Sequence, residues 1–369
     1  MRRIAVITGS RADFGLLRST IDAVEAHPDL ELQIVASGAH LLPPDRTIEE
    51  VRSQVRVDAV VEMQKPEIFG RSADAAALGR GVSGFAEVFD RIDPQVVLVL
   101  GDRIEALAAA SAASIGGRTL AHVHGGDRAE GVADEAMRHA ITKLAHLHFA
   151  ATEESGERIR RLGEAPSTVH VVGSPAIDGL EEMASLDDAR HAAWGSPSTV
   201  LLMHGAGQSP ATERRWVEVA LQGVRRHGPV AVLRPNQDPG SEFVEQALMA
   251  VETDPDIEVI GHLDRPSFIG LLRRANVLVG NSSAGLIEAA ALGCPAVNLG
   301  PRQAGRERPA SVIEVDTPDV DRITRAIEEA VSGRTSCDHP YGSGGAGGRI
   351  AAVLGQWSIE GPPRKRNAF

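Results

Sequence analysis

A chain of 369 residues is long enough for two domains, because single hydrophobic cores rarely grow past about 250–300 residues. Hydrophobic content of 43% and charged content of 24% are ordinary for a folded globular protein, and a formal charge of −12 argues against general binding to nucleic acid or anionic membrane, which needs clustered Lys and Arg. The cysteines Cys294 and Cys337 offer neither a disulfide framework nor a zinc ligand set, so a reducing cytoplasm is expected; the start MRRIAVITGS lacks a signal-peptide pattern, and no run nears the ~20 apolar residues of a membrane span.

From the N-terminus, short β-branched apolar runs recur, each followed by a turn and an amphipathic stretch: IAVITG (4–9), LQIVASG (32–38), VVLVLGD (96–102), TLAHVHG (119–125), LHFAAT (147–152) and VHVVGSP (169–175). This alternation predicts βαβ units on a parallel sheet. The pattern lapses into a polar helix and turn over 173–198, then resumes with TVLLMHG (199–205), PVAVLRPN (229–236), IEVIGHL (257–263), VLVGNSS (277–283) and PAVNLG (295–300). The expected fold class is α/β, with two Rossmann-like doubly wound domains over 1–175 and 176–355 and a loose tail over 356–369. Residues 336–348 read as a flexible Gly-rich connector before a final helix. Ligands of open α/β sheets bind beyond the carboxyl ends of the strands, so two such domains facing a cleft make the polar residues at strand ends the candidates.

At the first strand end, the Gly9 turn lets a phosphate approach backbone N–H groups and Arg11 meets an anion, the alternative being a surface arginine. ITGSRADFG is not G-x-G-x-x-G, so a nicotinamide cofactor is not expected. Asp102 either caps the next helix or does chemistry. Residues 121–140 then crowd His122, His124, Asp127, Glu130, Asp134, Glu135, Arg138 and His139 together. The i,i+4 pairs Asp134–Arg138 and Glu135–His139 account for part of this charge as a helix face, but not for His122, His124 and Asp127, which precede it. Chelation of a metal by those three is opposed by the neighbouring arginines and by the lack of a completing ligand. His146 and His148, in AHLHF, read as satisfied core histidines.

In the second half, His204 ends a strand. In GNSSAGLIEAAALG, Ser282 or Ser283 is placed to cap a helix whose N–H groups and dipole suit a diphosphate. Gly285 would let that ligand approach, and Glu288 would sit about a turn inside to accept from two sugar hydroxyls. The alternative is a structural cap with a solvated Glu. Arg302, Arg306 and Arg308 at the next strand end supply a local positive site.

The strings VITGSRADFGLL, GDRIEALAAA, AHVHGGDRAEGVADEAMRHAITKLAHLHFAATEE, VHVVGSPAIDGL, RPNQD and GNSSAGLIEAAALGCPAVNLGPRQAGRERPASVIEV resemble, in this order, the hydrolysing UDP-N-acetylglucosamine 2-epimerase family of sialic-acid and related nonulosonate pathways, over roughly residues 3 to 355. The resemblance implies a two-domain fold like glycosyltransferase type B, with UDP held mainly by the second domain. It also implies elimination of UDP across C1 and C2 of the sugar to a 2-acetamidoglycal, then addition of water, with neither nicotinamide nor metal. Asp102 and Asp134 match the family's acid and base carboxylates and His204 a histidine facing the departing diphosphate. Arg11, Ser282, Ser283 and Glu288 match UDP contacts. Asn236, in RPNQD, joins Gly285, Arg302 and Arg306 among the expected substrate-binding residues, and a homo-oligomer, dimer or tetramer, is expected. The chain departs from well-studied sialic-acid enzymes in carrying His124 where they have Glu, a form associated with 2,4-diacetamido sugars. It also carries Asp127 where Glu is usual, and MHGAGQ in place of His-Pro after the second-domain strand.

Overall fold

The computed structural model describes residues 1–43, 46–66, 68, 70–130, 135–236, 240–261, 263–333, 339–358 and 363–368. The chain forms two compact units, the first comprising Met1–Asp127, Asp134–Asp178 and Tyr341–Phe369, the second Arg128–Ala133 and Gly179–Pro340.

The first unit runs β1 (Arg2–Thr8), α1 (Arg11–Ala26), β2 (Leu30–Ser37), α2 (Ile48–Gln54), β3 (Ala59–Val61), α3 (Arg71–Ile92), β4 (Val96–Leu100), α4 (Ile104–Ile115), β5 (Thr119–Val123), α5 (Glu135–Leu144), β6 (Leu147–Ala150), α6 (Glu153–Arg161) and β7 (Val169–Val171). Its strands form a seven-stranded parallel sheet in the order β3-β2-β1-β4-β5-β6-β7. Successive side chains of a strand face opposite ways, and β1 shows what that does here. Ile4 and Val6 join one core with Leu17 and Ile21 of α1, while Ala5 and Ile7 join the other with Phe85 and Phe89 of α3 and Ala108 of α4. A strand buried on both faces reads as a continuous apolar run, as these do.

The second unit runs α7 (Leu180–Met183), α8 (Asp188–Ala193), β8 (Thr199–Leu202), α9 (Pro210–Val224), β9 (Val230–Leu233), α10 (Ser241–Met249), β10 (Ile257–Ile260), α11 (Arg265–Arg274), β11 (Val277–Gly280), α12 (Glu288–Ala291), β12 (Ala296–Leu299), β13 (Val312–Val315) and α13 (Val320–Ser332). Its parallel sheet has the order β10-β9-β8-β11-β12-β13. In each sheet the winding direction reverses once, between β1 and β4 and between β8 and β11. Those reversals are the crevices where open α/β sheets take ligands, and the groups just beyond these strands are positioned by the fold itself.

The strands the sequence pattern misses are β3 and β13, both at sheet edges. β3 is only three residues long, and β13 keeps Glu314 exposed, so neither makes a long apolar run. The C-terminal segment also differs from expectation. The final helix, α14 (Ala346–Gln356), belongs to the first unit and packs along α1. Asp178 caps it, accepting from the N–H groups of Ala346 (2.9 Å) and Gly347 (2.8 Å). Gly347 lets the two helices touch, since a Cβ there would stand 2.5 Å from the Ser19 carbonyl oxygen. Described residues of the expected loose tail are tied down too: the Lys365 ammonium pairs with Glu164 at 2.5 Å, and Ala368 N–H donates to the Gly163 carbonyl at 2.8 Å. Among the described residues no helix is long and apolar enough to cross a membrane.

Candidate active site

Beyond β4 and β5 of the first unit lies a connected set of polar side chains. Asp102 follows β4, and its carboxylate pairs with Arg138 of α5. The guanidinium is 3% exposed and the carboxylate 20%, so Arg138 is the buried base of the pair and Asp102 its accessible end. Arg138 also donates to the Glu135 carboxylate (2.8 Å) and to the Asp127 carbonyl (3.1 Å). A buried guanidinium is tolerated only with such a full set of acceptors.

His124 and Asp127 follow β5. The His124 ring lies with Nδ1 2.8 Å from Asp127 Oδ2 and Nε2 3.0 Å from the Ser174 hydroxyl. Asp127 Oδ1 accepts from Ser155 at 2.8 Å. The turn that makes this possible is sharp: His124 has φ 62° and Gly126 φ 74°. Position 126 admits no side chain, because a Cβ would meet the Ser155 carbonyl oxygen at 2.2 Å.

His122 stands apart from this set although it is only two residues away. It is fully buried, with Nε2 donating to the Gly101 carbonyl (2.8 Å) and Nδ1 3.2 Å from the Thr142 hydroxyl. Burial pushes it down to about 3. It is a core histidine, and among the described residues no group of three or more His, Cys, Asp or Glu is placed to hold a metal ion. His146 and His148 have core roles as well: His146 Nδ1 accepts from Leu120 N–H (3.1 Å) and His148 Nε2 faces Glu164 (3.2 Å). Glu135 and His139 form the expected i,i+4 contact at 3.1 Å, whereas Asp134 lies outside the described residues. Arg11 is the first residue of α1, behind the Ser10 cap.

In the second unit the reversal between β8 and β11 is bridged by two residues. Asn281 Oδ1 accepts from His204 N–H (2.7 Å) and Asn281 Nδ2 donates to the His204 carbonyl (2.8 Å), so one amide side chain clamps the histidine backbone from both sides. His204 Nδ1 accepts from Asn236 N–H at 3.1 Å, which leaves the ring proton on Nε2 as a donor. Glu213 of α9 holds the following loop by accepting from Ala206 (2.8 Å) and Gln208 (2.9 Å). Arg302 and Gln303 converge on the same place: Arg302 Nε donates to the Gly205 carbonyl (3.2 Å), and Arg302 Nη1 (3.3 Å) and Gln303 Nε2 (3.0 Å) donate to the Asn281 carbonyl. Arg306 bonds Gln303 Oε1 at 3.1 Å, and Arg308 pairs with Glu314 at 2.9 Å.

Two expectations for GNSSAGLIEAAALG are corrected. Ser282 caps Ala284 N–H at 3.3 Å, but what it starts is a 3₁₀ turn over Ser283–Gly285, and α12 begins only at Glu288. Such short pieces sum little dipole, so the donors here are individual N–H groups. At Gly285, a Cβ would stand 3.3 Å from that of Ala296 on β12. Glu288, expected a turn inside a helix, is the first residue of α12 and is ion-paired to Arg265 at 3.2 Å.

Sequence reasoning thus placed Asp102, His124 and Asp127 in one unit and His204, Asn236, Ser282 and Arg302 in the other, and the structure gathers each set. It missed Ser155, Ser174, Asn281 and Glu213, and read Arg138 only as a helix partner. The signal for Asn281 was its position directly after a buried strand, beside the serines already singled out.

Two parallel α/β sheets of seven and six strands, each with its polar groups at the reversal of strand order, define a glycosyltransferase type B-like fold. A solved structure titled as UDP-GlcNAc 2-epimerase of Methanocaldococcus jannaschii in complex with UDP-GlcNAc and UDP shares it, at 20% identity and TM-score 0.81 over 95% of this chain and 99% of that one. The family model for UDP-N-acetylglucosamine 2-epimerase matches residues 22–355, and the chain belongs to that family. It is 35% identical to a hydrolysing UDP-N,N'-diacetylbacillosamine 2-epimerase of Legionella pneumophila over 96% of both chains. A UDP-N-acetylglucosamine 2-epimerase of Neisseria meningitidis is 31% identical over 93% of this chain and 92% of its own.

Proposed function

We propose that the protein is a hydrolysing 2-epimerase that converts UDP-GlcNAc and water to ManNAc and UDP. The C2 proton of an acetamido sugar is weakly acidic, so the barrier falls mainly through stabilising C1–O cleavage, with a base at C2. The observation that carries the reading is Asp102, an accessible carboxylate held by the buried Arg138 at the sheet reversal of a chain in this family. Asp102 and Asp134 are the carboxylates assigned to the C2 proton and the departing oxygen. In the second unit, His204 presents an Nε2 donor and, with Asn236, Ser282, Ser283, Arg302, Arg306 and Glu288, is assigned to UDP and the sugar hydroxyls, as is Arg11 of the first unit. Incubation with UDP-GlcNAc in deuterated water will release UDP and ManNAc carrying deuterium at C2; unlabelled GlcNAc with UDP overturns the reading.

A second substrate, UDP-N,N'-diacetylbacillosamine, is favoured by the 35% identical relative and by His124 in place of glutamate. Comparing kcat/KM on the two donors separates them.

A further inference from the structure

Ser174, His124 and Asp127 form an acid–base relay whose parts all lie in the first unit, and its order of contacts fixes what each nitrogen of the ring does. A carboxylate only accepts, so the 2.8 Å contact to Asp127 Oδ2 puts a proton on His124 Nδ1. Ser174 Oγ already accepts from Ala176 N–H at 3.2 Å, and its own proton points along the 3.0 Å contact to His124 Nε2. A hydroxyl in that position serves either form of the ring, donating to a bare Nε2 and accepting from a protonated one. Asp127 is itself immobilised: Ser155 donates to its other oxygen (2.8 Å), and Thr152 donates to Ser155 (3.0 Å). Ser155, Ser174, Thr152 and Asp127 are all essentially buried. The charged and titratable groups facing this chain are Arg138, which donates to the Asp127 carbonyl, Arg158 of α6, which donates to Gly126 O (2.8 Å) and Ser155 Oγ (3.3 Å), and His122. His124 holds a left-handed backbone at φ 62°, a conformation that a non-glycine residue keeps only where its surroundings over-determine it.

Resting on the epimerase reading, we propose that this relay activates the water of the second half-reaction, with Ser174 Oγ passing the proton to His124 Nε2 and Asp127 and Ser155 as positioning residues. Epimerisation with hydrolysis needs two separate proton acts: removal of the C2 proton with reprotonation on the other face, and deprotonation of water. The Asp102–Arg138 pair supplies a carboxylate for the first, and the relay is a second proton-handling group at the next strand end. In the rehydration, the water oxygen bonds to C1 while its proton passes to Ser174 Oγ, and the Ser174 proton moves along the 3.0 Å contact to His124 Nε2. The C1=C2 pair takes a solvent-derived proton at C2 on the face opposite to the one that was deprotonated, from a second carboxylic acid, so the configuration inverts and deuterium enters from deuterated water. The resulting imidazolium faces Asp127, and Ser174 turns from donor to acceptor.

The test compares Asp127→Asn, Asp127→Glu and Ser174→Ala with the wild type in deuterated water, following UDP, free sugar and 2-acetamidoglycal separately. In parallel, ¹⁵N-histidine spectra locate the His124 proton, with His124→Gln assigning the signal. An asparagine amide donates to Nδ1 and moves the ring proton to Nε2. Asp127→Asn is therefore expected to keep UDP release within ~10-fold while free-sugar formation falls ~10²–10⁴-fold and glycal accumulates. Asp127→Glu will restore hydration to within ~10-fold of wild type, and Ser174→Ala will lower hydration with KM unchanged. Equal losses of UDP release and hydration in folded Asp127→Asn, or a wild-type His124 protonated at Nε2 alone, overturn the relay. If Asp127→Asn does not fold, Ser174→Ala and the wild-type tautomer decide. A wild type that releases no UDP overturns the epimerase reading, and the relay then stands or falls on the tautomer spectra.

Discussion

The two sheet reversals are built to one plan and furnished in opposite ways. Beyond β4 and β5, ionisable side chains are buried against each other: Arg138 under Asp102, His124 against Asp127. Beyond β8 and β11, the fixed groups are a neutral amide and backbone N–H and C=O groups, with His204 clamped by Asn281 and oriented by Asn236. The second reversal is not free of charge, since Glu213 holds its loop and Arg302 donates to Gly205 and Asn281, but the groups that fix His204 itself are neutral. On the proposed function, the first region is assigned to acid–base chemistry and the second to binding.

Substitutions sharpen that contrast, and the largest effect is expected at Asp102. Asp102→Asn keeps the shape and removes the proton carrier, so kcat for UDP release should fall ~10²–10⁴-fold with KM for the donor little changed; a loss confined to KM would place Asp102 with the binding groups. Arg138→Met tests the energetic side. It strands Asp102 and Glu135 without their buried partner and should lower unfolding stability by about 3 kcal/mol in denaturant titration, whether or not substrate is present. At the second reversal, His204→Ala should weaken UDP binding by ~10-fold in calorimetry while leaving stability within about 1 kcal/mol, because the clamp from Asn281 is to the backbone.

The most general effect is that of pH. Burial pushes His122 down to about 3 and His146 and His40 down to about 4, and Arg103 adds to the effect at His40. The unfolded chain binds these protons near pH 6.5, so stability is lost as pH falls below that value, by up to ~1.4 kcal/mol per unit for each histidine. Burial raises Asp13 to about 6, which has the opposite sign between about 3.8 and 6, one group against three. All four belong to the first unit, so denaturant midpoints followed by probes in each unit should show the first weakening from pH 7 to 5 more than the second. Parallel behaviour of the two would break the contrast.

Much of this was legible because buried parallel strands leave an unmistakable apolar run, and because a reversal of strand order exposes whatever follows the run. That rule put Asp102, His124 and His204 at strand ends, where the structure has them. Pairings between distant segments were not legible. Nothing in the sequence joins Arg138 to Asp102 or Ser174 to His124, since those contacts depend on where α5 and the β7 loop lie across the sheet. The edge strands β3 and β13 escaped because an edge needs little apolar surface.

The Asp178 cap on α14 has a consequence for synthesis. The first unit is opened by the N-terminal strand and closed by a helix near the other end of the chain, so the second unit is an insertion within it. As the polypeptide leaves the ribosome, the unit that begins first is the one that finishes last. Its seven strands must wait, with the α14 face of α1 uncovered, until the inserted unit has been made. Such a chain favours a second unit that folds on its own while the first is still incomplete.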